Sequence, residues 1–168
     1  NGSSISDNGT LTLNATGGSI TIGNTTQTTA STTGNLVTVV ANAPSGTVAV
    51  QSTGGNFTLG NIAANSLSVT ATTGNILQSG SLNIYGSATF KAPGDITLGG
   101  TNNLGPIIIN STGSGNVTVN ESGTMNLRTV AMGAGSTGNF SASSANGDII
   151  STGFGGVRPG GTTAAPGS

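Results

Sequence analysis

Gly74-Asn75-Ile76 is followed twenty residues later by Gly94-Asp95-Ile96, and twenty-one after that by Gly115-Asn116-Val117. Working outward, Gly55-Asn56-Phe57 and Gly34-Asn35-Leu36 precede these three, and Gly138-Asn139-Phe140 follows them. Successive glycines stand 21, 19, 20, 21 and 23 residues apart, with a weaker copy at Gly18-Ser19-Ile20. A fixed period in this range marks a stack of structural repeats. Such stacks act through surface and length more often than through a buried pocket.

The residues between the glycines alternate. Apolar side chains follow each Gly-Asn/Asp directly, as in Asn56-Phe57-Thr58-Leu59 and Asp95-Ile96-Thr97-Leu98. A second alternation follows twelve to sixteen residues after the glycine, at Val48/Val50, Leu67/Val69, Ala88/Phe90 and Ile107/Ile109. A period of two puts one set of side chains on one face of a strand. No segment holds a 3.6-residue apolar period for three turns, so essentially no helix is expected. The expected fold is all-β: two or three short strands wind into a coil of about 20 residues, and coils stack as a parallel β-helix, or β-solenoid. Six to seven coils over residues 9–152, spaced about 4.8 Å, predict a rod about 30–35 Å long. Residues 1–8 read as an irregular start or the edge of a preceding coil, and 153–168 as a Gly/Pro-rich tail or linker. Segments 24–33 and 99–106 read as loops leaving the wall. Pro44, Pro93 and Pro106 fall beside expected strand starts, where a missing N–H is tolerated.

The turn pairs have a local cause. A corner between strands requires φ > 0 or a tight backbone approach, which glycine allows, and asparagine accepts such conformations better than most residues. Asn side chains also hydrogen-bond turn backbone and form ladders between stacked chains. The turn residues expected to carry the stack are therefore Gly34, Asn35, Gly55, Asn56, Gly74, Asn75, Gly94, Asp95, Gly115, Asn116, Gly138 and Asn139. A longer echo is present as well. Residues 66–80 resemble 139–153 at an offset of 73, which pairs Leu67 with Phe140 and Ile76 with Ile149, and suggests a duplicated block.

Composition narrows the function. Only 4% of the 168 residues are charged, against about 25% in a typical soluble protein, while 30 are glycine and 3% aromatic. Disordered chains are usually highly charged and poor in β-branched residues, so the ordered Val/Ile/Thr alternation argues for a folded chain. A net charge of −1, with Lys91, Arg128 and Arg158 far apart, leaves no basic footprint for nucleic acid or anionic membrane. No apolar run is long enough to cross a bilayer, so no membrane insertion is expected. Without a signal peptide or initiating Met, the chain reads as an internal or processed piece of something longer.

Chemistry-bearing residues are sparse. The chain has no His and no Cys, so no metal site and no cofactor is expected. Its acids are Asp7, Asp95, Glu121 and Asp148. Asp95 and Asp148 occupy the Asn slot of the turn, which favours a turn role over catalysis. Glu121 reads as a solvated corner, and Tyr85 and Phe154 as core or rim packing. No catalytic residue is assigned and no enzymatic activity is expected. A polysaccharide-acting β-helix enzyme would need clustered carboxylates, and an ice-binding wall would need Thr-x-Thr pairs recurring at the twenty-residue period. Neither pattern is present.

The run Ser81-Leu82-Asn83-Ile84-Tyr85-Gly86-Ser87-Ala88-Thr89-Phe90-Lys91-Ala92-Pro93-Gly94-Asp95-Ile96-Thr97-Leu98 resembles filamentous haemagglutinin-type proteins. So do Gly115-Asn116-Val117-Thr118-Val119-Asn120 and Gly74-Asn75-Ile76-Leu77-Gln78-Ser79-Gly80. That family comprises giant bacterial exoproteins, many exported by two-partner secretion, whose repeats form a right-handed parallel β-helix. The resemblance spans roughly residues 9–152. It implies a secreted or cell-surface fibre for adhesion, aggregation or biofilm. The expected partners are further copies stacked end to end and, as an alternative, a cell-surface glycan or receptor. The matched positions are turn and core positions, so no catalytic or ligand residue carries over.

Overall fold

A computed structural model describes residues 10–15, 18, 20–25, 37–52, 55–152 and 157–158. Among them the chain is all-β and has no helix: a parallel β-solenoid of about 5 turns with about 21 residues per turn. The expected six to seven coils ran over residues 9–152, part of which lies outside the described residues.

The chain enters through β1 (Thr10–Asn14) and β2 (Ile20–Thr25), then two long strands, β3 (Val37–Ser52) and β4 (Phe57–Ala71), each traversing a whole coil. The next coil divides into β5 (Ile76–Gln78), β6 (Leu82–Ile84) and β7 (Ala88–Ala92). The one after it repeats the plan as β8 (Ile96–Leu98), β9 (Asn102–Leu104) and β10 (Ile107–Ser111). Then come β11 (Val117–Glu121), β12 (Met125–Met132), β13 (Phe140–Ser144), β14 (Ile149–Ser151) and the two-residue β15 (Val157–Arg158), which pairs with β12.

Every pairing is parallel, and the rungs define three walls. Along the first, Phe57, Ile76, Ile96, Val117 and Phe140 stack in register. Along the second, Leu13, Ala41, Ile62, Leu82 and Asn102 stack. Along the third, Val48, Leu67, Ala88 and Ile107 stack, with Val50, Val69, Phe90, Ile109 and Val130 beside them. The first and third walls are the two alternations legible in the sequence.

The inward residues form one thin core. Leu59, Ile76, Leu82, Phe90, Ile96, Leu98, Ile107 and Val117 are all within 1% of complete burial. At about 25 cal/mol per Å² of apolar area, such columns supply the main drive for stacking. The polar turns set where each column begins.

Three expectations are corrected. Residues 99–106 are not a loop, because they contain β9, a rung of the second wall. Pro44 lies inside β3, within the register interruption between Ala43 and Thr47, where the ladder does not need its missing N–H. The offset of 73 does not superpose walls: Leu67 belongs to the third wall and Phe140 to the first, while Ile76 belongs to the first and Ile149 pairs with Met125 of β12. At about 21 residues per turn, 73 residues span three and a half coils, so the echo joins opposite sides of the solenoid. Most of segment 24–33 and nearly all of the expected tail lie outside the described residues.

Candidate functional site

At the corner before the first wall, the Gly-Asn/Asp pairs form a continuous hydrogen-bonded ladder. The side-chain Oδ1 of Asn56 accepts the backbone N–H of Asn75 at 3.1 Å. Asn75 Oδ1 accepts Asp95 N–H at 2.7 Å, and Asp95 Oδ1 accepts Asn116 N–H at 2.7 Å. Asn116 Oδ1 accepts Asn139 N–H at 2.9 Å. The next backbone bond closes the upper three steps: Ile76 N–H donates to Asp95 O, Ile96 N–H to Asn116 O, and Val117 N–H to Asn139 O, at 2.8–2.9 Å. Asp95, Asn116 and Asn139 are thus each held on both N–H and C=O by the coil beneath. The side-chain bond requires only an oxygen acceptor, which explains why aspartate replaces asparagine at position 95.

The preceding glycines are required by close approach more than by dihedral angle. Among the described glycines of this column, only Gly55 (φ 74°) and Gly74 (φ 79°) have positive φ. A Cβ on Gly94 would meet Asn75 Oδ1 and Gly74 O, one on Gly115 would meet Gly94, and one on Gly138 would meet Gly115 O. Backbone therefore stacks on backbone up this corner, and no side chain fits between. Gly34 and Asn35 lie outside the described residues. The 23-residue coil ending at Asn139 keeps the ladder because its extra length is taken up in 133–137, where Gly135 has φ 74° and Ser136 N–H bonds Gly133 O.

A second polar feature closes the second wall. Asn102 is fully buried in a column otherwise built from Ala41, Ile62 and Leu82. Its Nδ2 donates to Asn120 O at 2.9 Å and Leu98 O at 3.3 Å, and its Oδ1 accepts Gln78 Nε2 at 2.5 Å and Leu82 N–H at 3.3 Å. Gln78 Oε1 also accepts the Gly100 N–H at 3.1 Å. Above this pair, Ser122 N–H donates to Asn102 O at 2.8 Å, which seats Glu121 over β9. The Glu121 carboxylate accepts the Leu104 N–H at 3.2 and 3.1 Å and the Ser122 N–H at 3.3 Å.

Glu121 is therefore 3% exposed, not the solvated corner the sequence suggested. Among the described residues β9 pairs only with β6, so its upper edge has no strand above it. The carboxylate takes the place of the missing backbone acceptor and seals that edge. Burial pushes its pKa above the ordinary value, and backbone N–H groups of Leu104, Ser122 and Gly123 offset part of that rise. No local signal marks this role, since a lone Glu after a strand is usually solvated.

The other acids among the described residues stay apart, and Asp7 lies outside them. Asp95 is a rung of the ladder, whereas Asp148 sits at a different corner, where its C=O accepts the Met125 N–H at 2.9 Å. Among the described residues no group of three acidic, His or Cys side chains is placed to hold a metal. Tyr85 is 63% exposed, which corrects the expectation of core or rim packing, and Phe154 lies outside the described residues.

Residues 45–111 are similar to the family described as repeats of unknown function (DUF5649). No curated protein and no solved structure matches the chain. The matched segment holds two of the four Asx rungs, those that begin at Asn56 and Asn75, together with the Gln78–Asn102 pair. Repeated sequence and stacked coils agree: the chain is a β-solenoid repeat protein.

Proposed function

We propose that this chain is a structural, adhesive segment of an extracellular bacterial β-solenoid fibre of the filamentous haemagglutinin type. The Asx ladder is the observation that carries the reading. It runs parallel to the stack, so hydrogen bonds and apolar columns both add along one axis, which suits a rod that transmits length and load. Among the described residues Asp95 and Asp148 lie in turns and Glu121 seals an edge, so the scaffold reading accounts for these three without catalysis. End-to-end assembly is part of the proposal. Among the described residues β13 and β14 each pair on one side only, and Ile149 and Ile150 are exposed beside them. Heterologous contacts of this kind extend without closing.

Immunogold labelling of intact producing cells with antibody against this segment tests the reading. Gold on surface fibres is expected. Labelling that needs cell lysis contradicts an extracellular role. Negative-stain images of the purified protein at high concentration separately test assembly: filaments are expected, and dispersed monomers contradict it.

A further inference from the structure

We propose that the outer face of the second wall around Tyr85 binds a neutral polysaccharide; this deepens the adhesive part of the reading above by naming the class of partner. Tyr85 is the one aromatic ring that stands out into solvent among the residues whose burial is described. Its place in the stack leaves the ring open. Tyr85 N–H bonds Ala64 O and Gly105 N–H bonds Ile84 O, which puts Asn65 in the coil below and Gly105 in the coil above. Glycine at 105 sets no side chain against the ring, and any Cβ there would strike the backbone of Tyr85 and Gly86.

The phenol is also oriented. Asn83 Nδ2 donates to Tyr85 Oη at 3.3 Å, and Asn103 Nδ2 donates to Asn83 Oδ1 at 3.0 Å. One aromatic plane is thus fixed beside a rank of amides that follows the coil spacing. Asn61 and Ser81, bonded at 2.9 and 3.2 Å, continue the polar rank along the same wall. A sugar ring offers matching chemistry: C–H groups on its face for the tyrosine, and hydroxyls at its rim for amides. Tyrosine supplies such contact at low entropic cost, and asparagine supplies adaptable hydrogen bonding. None of these residues is charged, which favours a neutral ligand. The face is a wall of stacked strands with rungs about 4.8 Å apart, so it suits an extended chain lying along it better than a single enclosed sugar. A protein partner would call for a larger apolar patch than one ring among amides.

Affinity electrophoresis of the full chain through gels containing hydroxyethylcellulose, galactomannan or laminarin tests the site. Retardation by at least one of the three is expected, with a saturable change in tyrosine emission. That emission reports Tyr85 alone, because the chain has one Tyr and no Trp. Tyr85→Ala is expected to weaken binding about tenfold or more, and Asn103→Ala to weaken it less. Both side chains are exposed, so unchanged circular dichroism and Tm serve as the folding control. No retardation in any of the three gels, or retardation unchanged by Tyr85→Ala, overturns the site. Surface labelling of the fibre is read independently, so loss of the site leaves the rod reading standing.

Discussion

The Oδ1 atom of Asp95 accepts the backbone N–H of Asn116, one coil above, at 2.7 Å. Asn75 makes the same bond to Asp95 itself, also at 2.7 Å. A carboxylate and an amide are interchangeable in this ladder because only a carbonyl-type oxygen is used. Asp95→Asn is therefore expected to leave stability within about 0.5 kcal/mol. Asp95→Ala removes the acceptor for Asn116 N–H and is expected to cost about 1 kcal/mol. Urea unfolding midpoints of the two variants check the contrast, and equal losses would contradict the oxygen-only account.

Glycine in the same corner is a packing requirement. A Cβ on Gly115 would meet the carbonyl of Gly94 and lie 2.6 Å from Asp95 N, and neither neighbour is a flexible side-chain end. Gly123, by contrast, has no atom within 4 Å of such a Cβ. Gly115→Ala is expected to destabilise by about 2–3 kcal/mol and Gly123→Ala by less than about 0.5 kcal/mol. Thermal unfolding of the pair measures the difference.

Ser111 is a buried hydroxyl whose removal is expected to help. It is 1% exposed in the column of Ala92 and Met132, and its Oγ has no hydrogen-bond partner. A buried hydroxyl without a partner is destabilising. Ser111→Ala is expected to raise stability by about 1 kcal/mol, read as a higher urea midpoint with an unchanged slope.

Glu121 gives the fold a pH dependence of definite sign. Its folded-state pKa is raised from 4.5 chiefly by burial, so between that value and the raised one the folded state binds more protons than the unfolded state. Stability from this group is then greatest at the acid side of the window and falls as pH rises through it. Glu121→Gln retains an oxygen acceptor for Leu104 N–H and is expected to flatten that slope. Glu121→Ala leaves the N–H buried without a partner and is expected to lose about 1–3 kcal/mol across the whole range. Chemical unfolding at a series of pH values from 4 to 8 checks all three proteins.

Most of the scaffold was legible because its signals are local. Gly94-Asp95-Ile96 and its copies mark one corner of every coil, and the alternations at Ile96/Leu98 and Ile107/Ile109 mark two walls. The second wall was not legible because its inward column mixes Ala41, Ile62 and Leu82 with Asn102, so no repeated apolar pattern survives. Asn102 is tolerated there because its amide is hydrogen-bonded from other coils, by Gln78 twenty-four residues earlier and by Leu82 and Asn120. Glu121 and Tyr85 were misread for a related reason. Each takes its environment from the coil above or below, and a linear reading does not show which residues those are.

The central claim is that the Gly-Asn/Asp repeat encodes a side-chain-to-backbone ladder that locks coil to coil. Residue-resolved amide hydrogen exchange tests it most directly at Asn75, Asp95, Asn116 and Asn139, whose N–H groups are the donors. These corner amides are expected to exchange as slowly as the neighbouring strand amides of Ile76, Ile96 and Val117. Asn75→Ala is expected to release Asp95 selectively. Corner amides that exchange at the rate of exposed turns, or an Asp95 amide unaffected by Asn75→Ala, would contradict the account.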